Sequence, residues 1–160
     1  MEDGYELYIK SLESEQEKIE EEIYSISDEI RKYFSMGTTE YETLSSEKKS
    51  KYKEKLIKLK KDSKRKEKLS IMLSSIFDKR FIANVIERNN EKISLENYKD
   101  ICDSIILLFN DKTFPLENIE TKVKELLLRN TIFNVSDVLD SIIVMFKSRG
   151  FTYGEELSLW

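Results

Sequence analysis

Apolar side chains recur at alternating steps of four and three residues through the first part of the chain. This spacing over residues 5–33 is typical of a heptad seam along one side of an α-helix. A polar Gln16 stands within the seam, where a buried amide can set the register of a paired helix. The helix is predicted to end near residues 35–39, because Gly37 suits a C-terminal cap. The positions of the series are Tyr5, Ile9, Leu12, Gln16, Ile19, Ile23, Ile26, Ile30 and Tyr33.

A second helix is predicted from Ser45 or Ser46, either of which can cap it, to about Ile86. Its apolar stripe is sparse at first and dense later, so we expect the first half at the surface and the second half in the core. The apolar positions are Tyr52, Leu56 and Leu59 in the first half and Leu69, Met72, Leu73, Ile76, Phe77, Phe81 and Val85 in the second.

Two shorter amphipathic helices are predicted to follow. Ser94 precedes the first of them, and residues 110–112 interrupt its pattern. Pro115 suits the first turn of the second, which continues at helical spacing until Asn130. The buried side of the first helix is expected to carry Leu95, Tyr98, Ile101, Cys102, Ile105, Leu108 and Phe109.

The last thirty residues allow two interpretations. In one, Ser136 caps a fifth helix that ends at Gly150 and is followed by a short strand or an extended tail. In the other, residues 142–146 form a strand rich in β-branched residues that makes a hairpin with residues 151–159. We favour the helix.

Together these elements predict a mostly all-α fold. A long N-terminal antiparallel helical hairpin, or coiled coil, is followed by a small helical bundle, with room for a short β element at the C-terminus. We predict one domain over residues 1–110, comprising the hairpin and the core helices. Residues 111–160 are predicted to form a small C-terminal helical segment, winged-helix-like or part of a truncated β domain.

Charge is distributed unevenly along the 160 residues, which carry 31 acidic and 27 basic side chains. Residues 1–47 have a net charge of −10, residues 48–68 of +9 and residues 69–160 of −3. Opposite charges attract, so we expect the acidic first segment to fold back along the basic second one. The alternative is two solvated helix faces whose charges only keep the protein in solution.

The composition restricts the kinds of catalytic and metal-binding site that the chain can form, because it has no histidine. Histidine-based triads and histidine-ligated zinc are therefore excluded, and the scattered glycines disfavour a phosphate-binding loop. The single Cys102 is expected to be a packed thiol in a reducing compartment. Carboxylate pairs occur at residues 100 and 103 and at residues 137 and 140, and we expect them to face water. We predict no catalytic, cofactor or metal residues, no small-molecule substrate and no enzymatic activity.

Two sets of side chains are predicted to meet partners. The first helix cannot be fully covered by the second, which is polar between Lys60 and Lys68, so we expect a homo- or hetero-oligomer. The basic side chains of the second helix form a stripe able to contact a nucleic-acid backbone without reading its sequence. The predicted partner interface is Ile9, Leu12, Gln16, Ile19, Ile23, Ile26 and Ile30, and the nucleic-acid stripe is Lys51, Lys55, Lys58, Lys61, Arg65 and Lys68.

Three stretches of the chain resemble the helical domain of the GINS proteins, the four-part assembly of the archaeal and eukaryotic replicative helicase. They are residues 26–34, residues 76–82 and residues 93–98. In the family, a helix with a basic pair near its end is followed by a short gap and a new helix opened by Ser or Thr, and Lys79-Arg80 and Ser94 have a similar separation. Family members of this type usually carry a small C-terminal β domain, of which the residues after Ile142 show no complete counterpart.

The resemblance implies a non-catalytic scaffold subunit of a DNA replication complex, which holds other proteins together through its helices and has its basic helix near DNA. A small helical regulator or viral-type inhibitor that docks on a host protein is the alternative. A third hypothesis is a transcription regulator that binds DNA through winged-helix-like C-terminal helices, although Asp137 and Asp140 on the reading helix disfavour it. We expect an intracellular protein, in the cytoplasm or nucleoid or in a eukaryotic nucleus, because neither a signal peptide nor a membrane span is recognisable.

Overall fold

The structure is a computed structural model that describes residues 3–34 and 45–154. These residues form five α-helices and no β-strand, which confirms the predicted all-α class. The helices are α1 (Gly4–Phe34), α2 (Ser46–Arg88), α3 (Leu95–Leu108), α4 (Leu116–Arg129) and α5 (Val135–Ser148).

The helix starts follow the capping residues of the sequence. The Ser45 hydroxyl accepts a hydrogen bond from the backbone N–H of Lys48 at 3.4 Å, and that of Ser94 accepts one from Asn97 at 3.2 Å. Each bond satisfies an amide that the first turn of a helix leaves without a backbone partner. The predicted end of the first helix at residues 35–39 lies outside the described residues.

The helical interpretation of the C-terminal region is correct, since residues 142–146 lie inside α5. The predicted cap is wrong, because Asn134 and not Ser136 precedes the helix. Gly150 follows the end of the helix with a φ of 92°, a conformation that glycine adopts without strain. Residues 151–153 form no strand, and the rest of the predicted tail or wing, residues 155–160, lies outside the described residues.

The chain divides into two compact units. One, which we call the bundle, contains the described residues 3–13 and 75–154. The other, which we call the helical pair, contains the described residues 14–34 and 45–74. The bundle includes all of α3, α4 and α5. The domain boundary after residue 110 stays a prediction.

The bundle has a continuous apolar core. Phe146 is fully buried, with its ring centroid 4.5 Å from that of Phe109 and 5.1 Å from that of Phe151. Near the N-terminus, Tyr8 stacks on Tyr98 with 5.5 Å between ring centroids. The side chains at 0% exposure are Ile82, Ala83, Val85, Ile86, Ile101, Cys102, Ile105, Ile119, Val123, Leu127, Val138, Ile142 and Phe146.

Three apolar positions of α2 that the sequence placed in the core are exposed, and that prediction is wrong. Met72 is 46% exposed in the helical pair, and Phe77 and Phe81 are 52% and 40% exposed in the bundle. The core positions Ile82 and Ile86 each follow a Phe by five residues, which is about 140° around a helix. The bundle core therefore lies on a different side of α2 from the two rings.

The helical pair is held by fewer buried side chains. Ile19 and Ile26 of α1 are 5% and 8% exposed, and Leu59 and Leu69 of α2 are 3% and 7% exposed. The two helix segments run antiparallel, because Glu22 pairs with Arg65 while the later Glu29 pairs with the earlier Lys58.

Candidate interaction surfaces

The seam of α1 lies largely inside the chain. In the bundle Leu12 is buried and Ile9 half-buried, and in the helical pair Ile19 and Ile26 are buried. The other predicted interface residues, Gln16, Ile23 and Ile30, are half-buried. The side-chain amide of Gln16 donates to the Glu20 carboxylate on its own helix at 2.9 Å. The use of this seam by a partner stays a prediction.

Several residues of the predicted stripe pair with acids of the helical pair. Lys58 lies 3.4 Å from Glu29, Lys51 lies 3.8 Å from Glu47, and Arg65 pairs with Glu22. The expected alignment of acidic and basic segments is therefore observed for the pairs that join α1 to α2. Such exposed pairs contribute about 0–1 kcal/mol each, so they orient the helices more than they stabilise them.

A second set of lysines points away from these acids. Successive residues of an α-helix are separated by about 100°, which places seven residues of α2 within one sector of about 100°. All seven are exposed, none is acidic, and Ile57 among them is 59% exposed. We call this set the outer lysine face, and it consists of Lys53, Ile57, Lys60, Lys61, Lys64, Lys68 and Ile71.

The predicted stripe and the outer lysine face overlap only at Lys61 and Lys68. Lys55, the remaining stripe residue, is exposed on α2 outside this sector. Three- and four-residue steps between basic residues do not distinguish lysines directed at α1 from lysines directed at solvent. The helical angle of each lysine separates the two groups once the side of α2 that contacts α1 is known.

The basic pair that carries the family resemblance is engaged within the bundle. Lys79 forms an ion pair with Asp103 at 3.0 Å, and its side chain is only 19% exposed. Arg80 lies 3.4 Å from Glu13. A third pair joins Arg149 to Asp78, where burial raises the pKa of the Asp78 carboxyl and the Arg149 charge opposes that rise.

Within the carboxylate pairs noted in the sequence, the individual carboxylates bind different side chains. Asp100 accepts hydrogen bonds from the Asn130 amide at 2.7 Å and from the Arg129 guanidinium at 2.8 Å, and these bonds lower the pKa of the Asp100 carboxyl. Asp103 pairs with Lys79, while Asp137 accepts from Asn134 at 3.0 Å. Within residues 3–34 and 45–154, no group of three or more acidic or cysteine side chains is placed to hold a metal ion.

The thiol of Cys102 is a packed side chain, as predicted. It is fully buried and donates a hydrogen bond to the backbone carbonyl of Lys79 at 3.7 Å. Burial raises the pKa of the thiol to about 12, so the thiolate that would act as a nucleophile is scarcely populated near neutral pH.

A buried glutamate, missed by the sequence analysis, organises the turn before α5. Glu91 is only 5% exposed, and its carboxylate accepts the backbone N–H groups of Phe133, at 2.9 Å, and of Asn134. The turn presents Phe133 to solvent with 91% of its surface exposed. An isolated glutamate in a loop carries no sequence signal for this role, since its partners are forty residues away.

Comparisons of the chain with protein-family models, with curated proteins and with solved structures found no match. Among the described helices, none has the length and apolar character required to cross a bilayer.

Proposed function

We propose that this chain is a non-catalytic assembly subunit of a DNA replication complex, similar to the GINS proteins, and that it acts through helix-mediated protein contacts. The observation that carries the proposal is the pair of large aromatic side chains exposed on α2 in the bundle. Phe77 and Phe81 stand one helical turn apart, with 52% and 40% of their surfaces exposed.

Single exposed apolar residues are common on protein surfaces, but two adjacent rings are a larger apolar area. Aromatic side chains contribute strongly to protein interfaces, since they bury a large surface and lose little conformational entropy. The helix that carries these rings is anchored by the fully buried Ile82 and Ile86, so the rings are displayed on a rigid support. A rigid support reduces the entropy lost on association.

The replication assignment rests on the sequence resemblance. Two local features agree with the pattern described for that family. The basic pair Lys79-Arg80 lies in α2, and Ser94 caps α3 with Glu96 in its first turn. Both basic side chains are engaged by acids of the bundle, so their contribution in this chain is to hold α1, α2 and α3 together.

The test is affinity capture of the full chain from its source cells, with identification of the captured proteins by mass spectrometry. We expect subunits of the replicative helicase to be enriched. We expect the double variant Phe77→Ser, Phe81→Ser to lose them. Leu107→Ser, which alters a 67% exposed residue of α3, is the matched control and should retain them.

Two outcomes would contradict the proposal. Capture of one target unrelated to replication would favour the alternative of a docking regulator. Helicase capture that the double Phe substitution leaves unaffected would show that Phe77 and Phe81 are not the binding surface. Circular dichroism of each variant establishes that the bundle is folded before its captured proteins are compared.

A further inference from the structure

The outer lysine face differs from the rest of the helical pair in its charge balance. Its five lysines take part in no ion pair within the part of the chain that the structure describes, whereas Lys58 and Arg65 of the same helix pair with α1. Five like charges on one side of a helix repel one another. A partner surface that brings carboxylates to this face relieves that repulsion.

An apolar depression adjoins this face. A recess of about 440 Å³ is lined by Lys53, Ile57 and Lys60 of the face and by Leu56, Leu59 and Ser63 of the same helix. Ile57 is 59% exposed beside it. A phosphate backbone has no apolar group to place in such a recess, whereas an aliphatic side chain of a protein does.

We propose that the outer lysine face binds an acidic, amphipathic helical segment of a partner protein. One apolar side chain of that segment enters the adjoining recess, and its carboxylates meet lysines of the face, among them Lys53 and Lys60. This inference rests on the proposed function and deepens it, since it assigns the chemistry of one partner of the assembly subunit.

The length of the face favours a helical segment. Residues 53–71 extend over about 27 Å of α2, which matches about 18 residues of a partner helix. Amphipathic helices commonly dock by placing apolar side chains at helical spacing into such depressions. Complementary charge orients the partner helix and raises the association rate, and both effects weaken as the salt concentration rises.

The experiment measures binding of the full chain to a fluorescein-labelled synthetic peptide by fluorescence anisotropy. The peptide is a helix of about 18 residues, made of glutamate with leucines aligned on one face. A second peptide of the same composition has its leucines distributed around the helix. A duplex DNA of similar length is the third probe.

We expect the aligned peptide to bind and the distributed peptide to bind at least about tenfold more weakly, which corresponds to about 1.4 kcal/mol. Ile57→Ser and the double variant Lys60→Glu, Lys64→Glu should each weaken binding of the aligned peptide by a similar factor. The matched control is Lys124→Glu, which reverses an exposed lysine of α4 in the bundle and should leave binding unchanged.

Equal binding of the two peptides, or an Ile57→Ser variant that binds as the parent chain does, would overturn the inference. Preferential binding of duplex DNA that is lost on charge reversal but not in Ile57→Ser would identify the face as a nucleic-acid contact instead. Lys60→Gln, Lys64→Gln supplies a milder charge change if the reversal variant fails to fold.

Failure of this inference is distinguishable from failure of the proposed function. The capture experiment depends on Phe77 and Phe81 in the bundle, whereas the peptide experiment depends on residues of the helical pair. A chain that captures helicase subunits but ignores the acidic peptide overturns only the inference about the lysine face.

Discussion

The bundle and the helical pair bury their side chains in different ways. In the bundle, side chains from all five helices surround a core in which Phe146, Ile142 and Ile101 are completely inaccessible to solvent. In the helical pair, single buried residues such as Ile19 and Leu59 alternate with exposed ion pairs. Hydrophobic burial dominates folding energetics, so the bundle is expected to carry most of the stability. Many side chains of the helical pair are left exposed to solvent.

The strongest test of this difference is to create a cavity in the bundle. Phe146→Ala removes a ring that packs on both Phe109 and Phe151, and it should lower the free energy of unfolding by about 3–5 kcal/mol. Urea unfolding followed by circular dichroism measures this loss. Phe133→Ala is the control, because a residue that is 91% exposed should change stability by less than about 0.5 kcal/mol. Similar losses in the two variants would contradict the assignment of the core.

The next largest effect on stability is expected at Glu91, whose buried carboxylate holds the turn before α5. Glu91→Ala leaves the backbone N–H groups of Phe133 and Asn134 without their carboxylate partner and should cost about 2–3 kcal/mol. Glu91→Gln retains an acceptor oxygen and should cost less. Chemical denaturation of both variants shows which of them loses more stability. Glu125→Ala, on the exposed side of α4, is the control. A neutral Glu91→Ala would show that the turn does not depend on this carboxylate.

A smaller, pH-dependent effect is expected from Asp100, which ties α3 to the end of α4. Hydrogen bonds from Asn130 and Arg129 lower the pKa of this carboxyl below its ordinary value of 3.8 in the folded state. The carboxylate therefore contributes stability that is present above pH 3.8 and is lost as the pH falls through the lowered pKa. Asp100→Asn should be less stable than the parent chain by at most about 1 kcal/mol near neutral pH.

Urea unfolding at a series of pH values checks the direction of this effect. The difference between the parent chain and Asp100→Asn should shrink as the pH is lowered past 3.8. A difference that grows on acidification would contradict the lowered pKa of Asp100. Asp140→Asn, on the exposed side of α5, is the control and should not reproduce the trend.

The smallest effect is expected in the helical pair. Lys58→Ala removes an exposed ion pair with Glu29 and should cost about 0.5 kcal/mol or less, with the cost falling further as salt is added. Thermal unfolding at low and high salt measures it, with Lys61→Ala on the outer lysine face as the matched control. A loss of several kcal/mol from Lys58→Ala would show that charge pairing stabilises the helical pair as strongly as the core stabilises the bundle.

Periodicity and capping residues predicted four of the five helices closely, because both signals act between residues near one another in the chain. Ser94 and Pro115 mark the starts of α3 and α4 as expected. The C-terminal region was harder to predict, since residues 142–146 are apolar and include three β-branched side chains, a composition that also suits a strand. Burial of Ile142 and Phe146 in the bundle favours the helix, and propensity alone does not decide between the two.

The candidate surfaces were only partly predictable. The excess of lysine on α2 is visible in the sequence, but its division into lysines that pair with α1 and lysines that face solvent depends on the direction of the neighbouring helix. The exposure of Phe77 and Phe81 was missed for the same reason. A helix packed on two sides has apolar residues in more than one direction, and the sequence does not show which direction is left uncovered.

By itself, the sequence determined the helical class, the starts of α2, α3 and α4, and the exclusion of histidine chemistry, since these depend on residue type and local spacing. Only the tertiary structure decided which side chains are covered. It placed Glu91 beneath the turn before α5 and bound Asp100 to the end of α4. It also left Phe77, Phe81 and the lysines of the outer lysine face exposed to solvent. The physical reason is that burial and pairing are set by residues distant in the chain, whose positions no local pattern specifies.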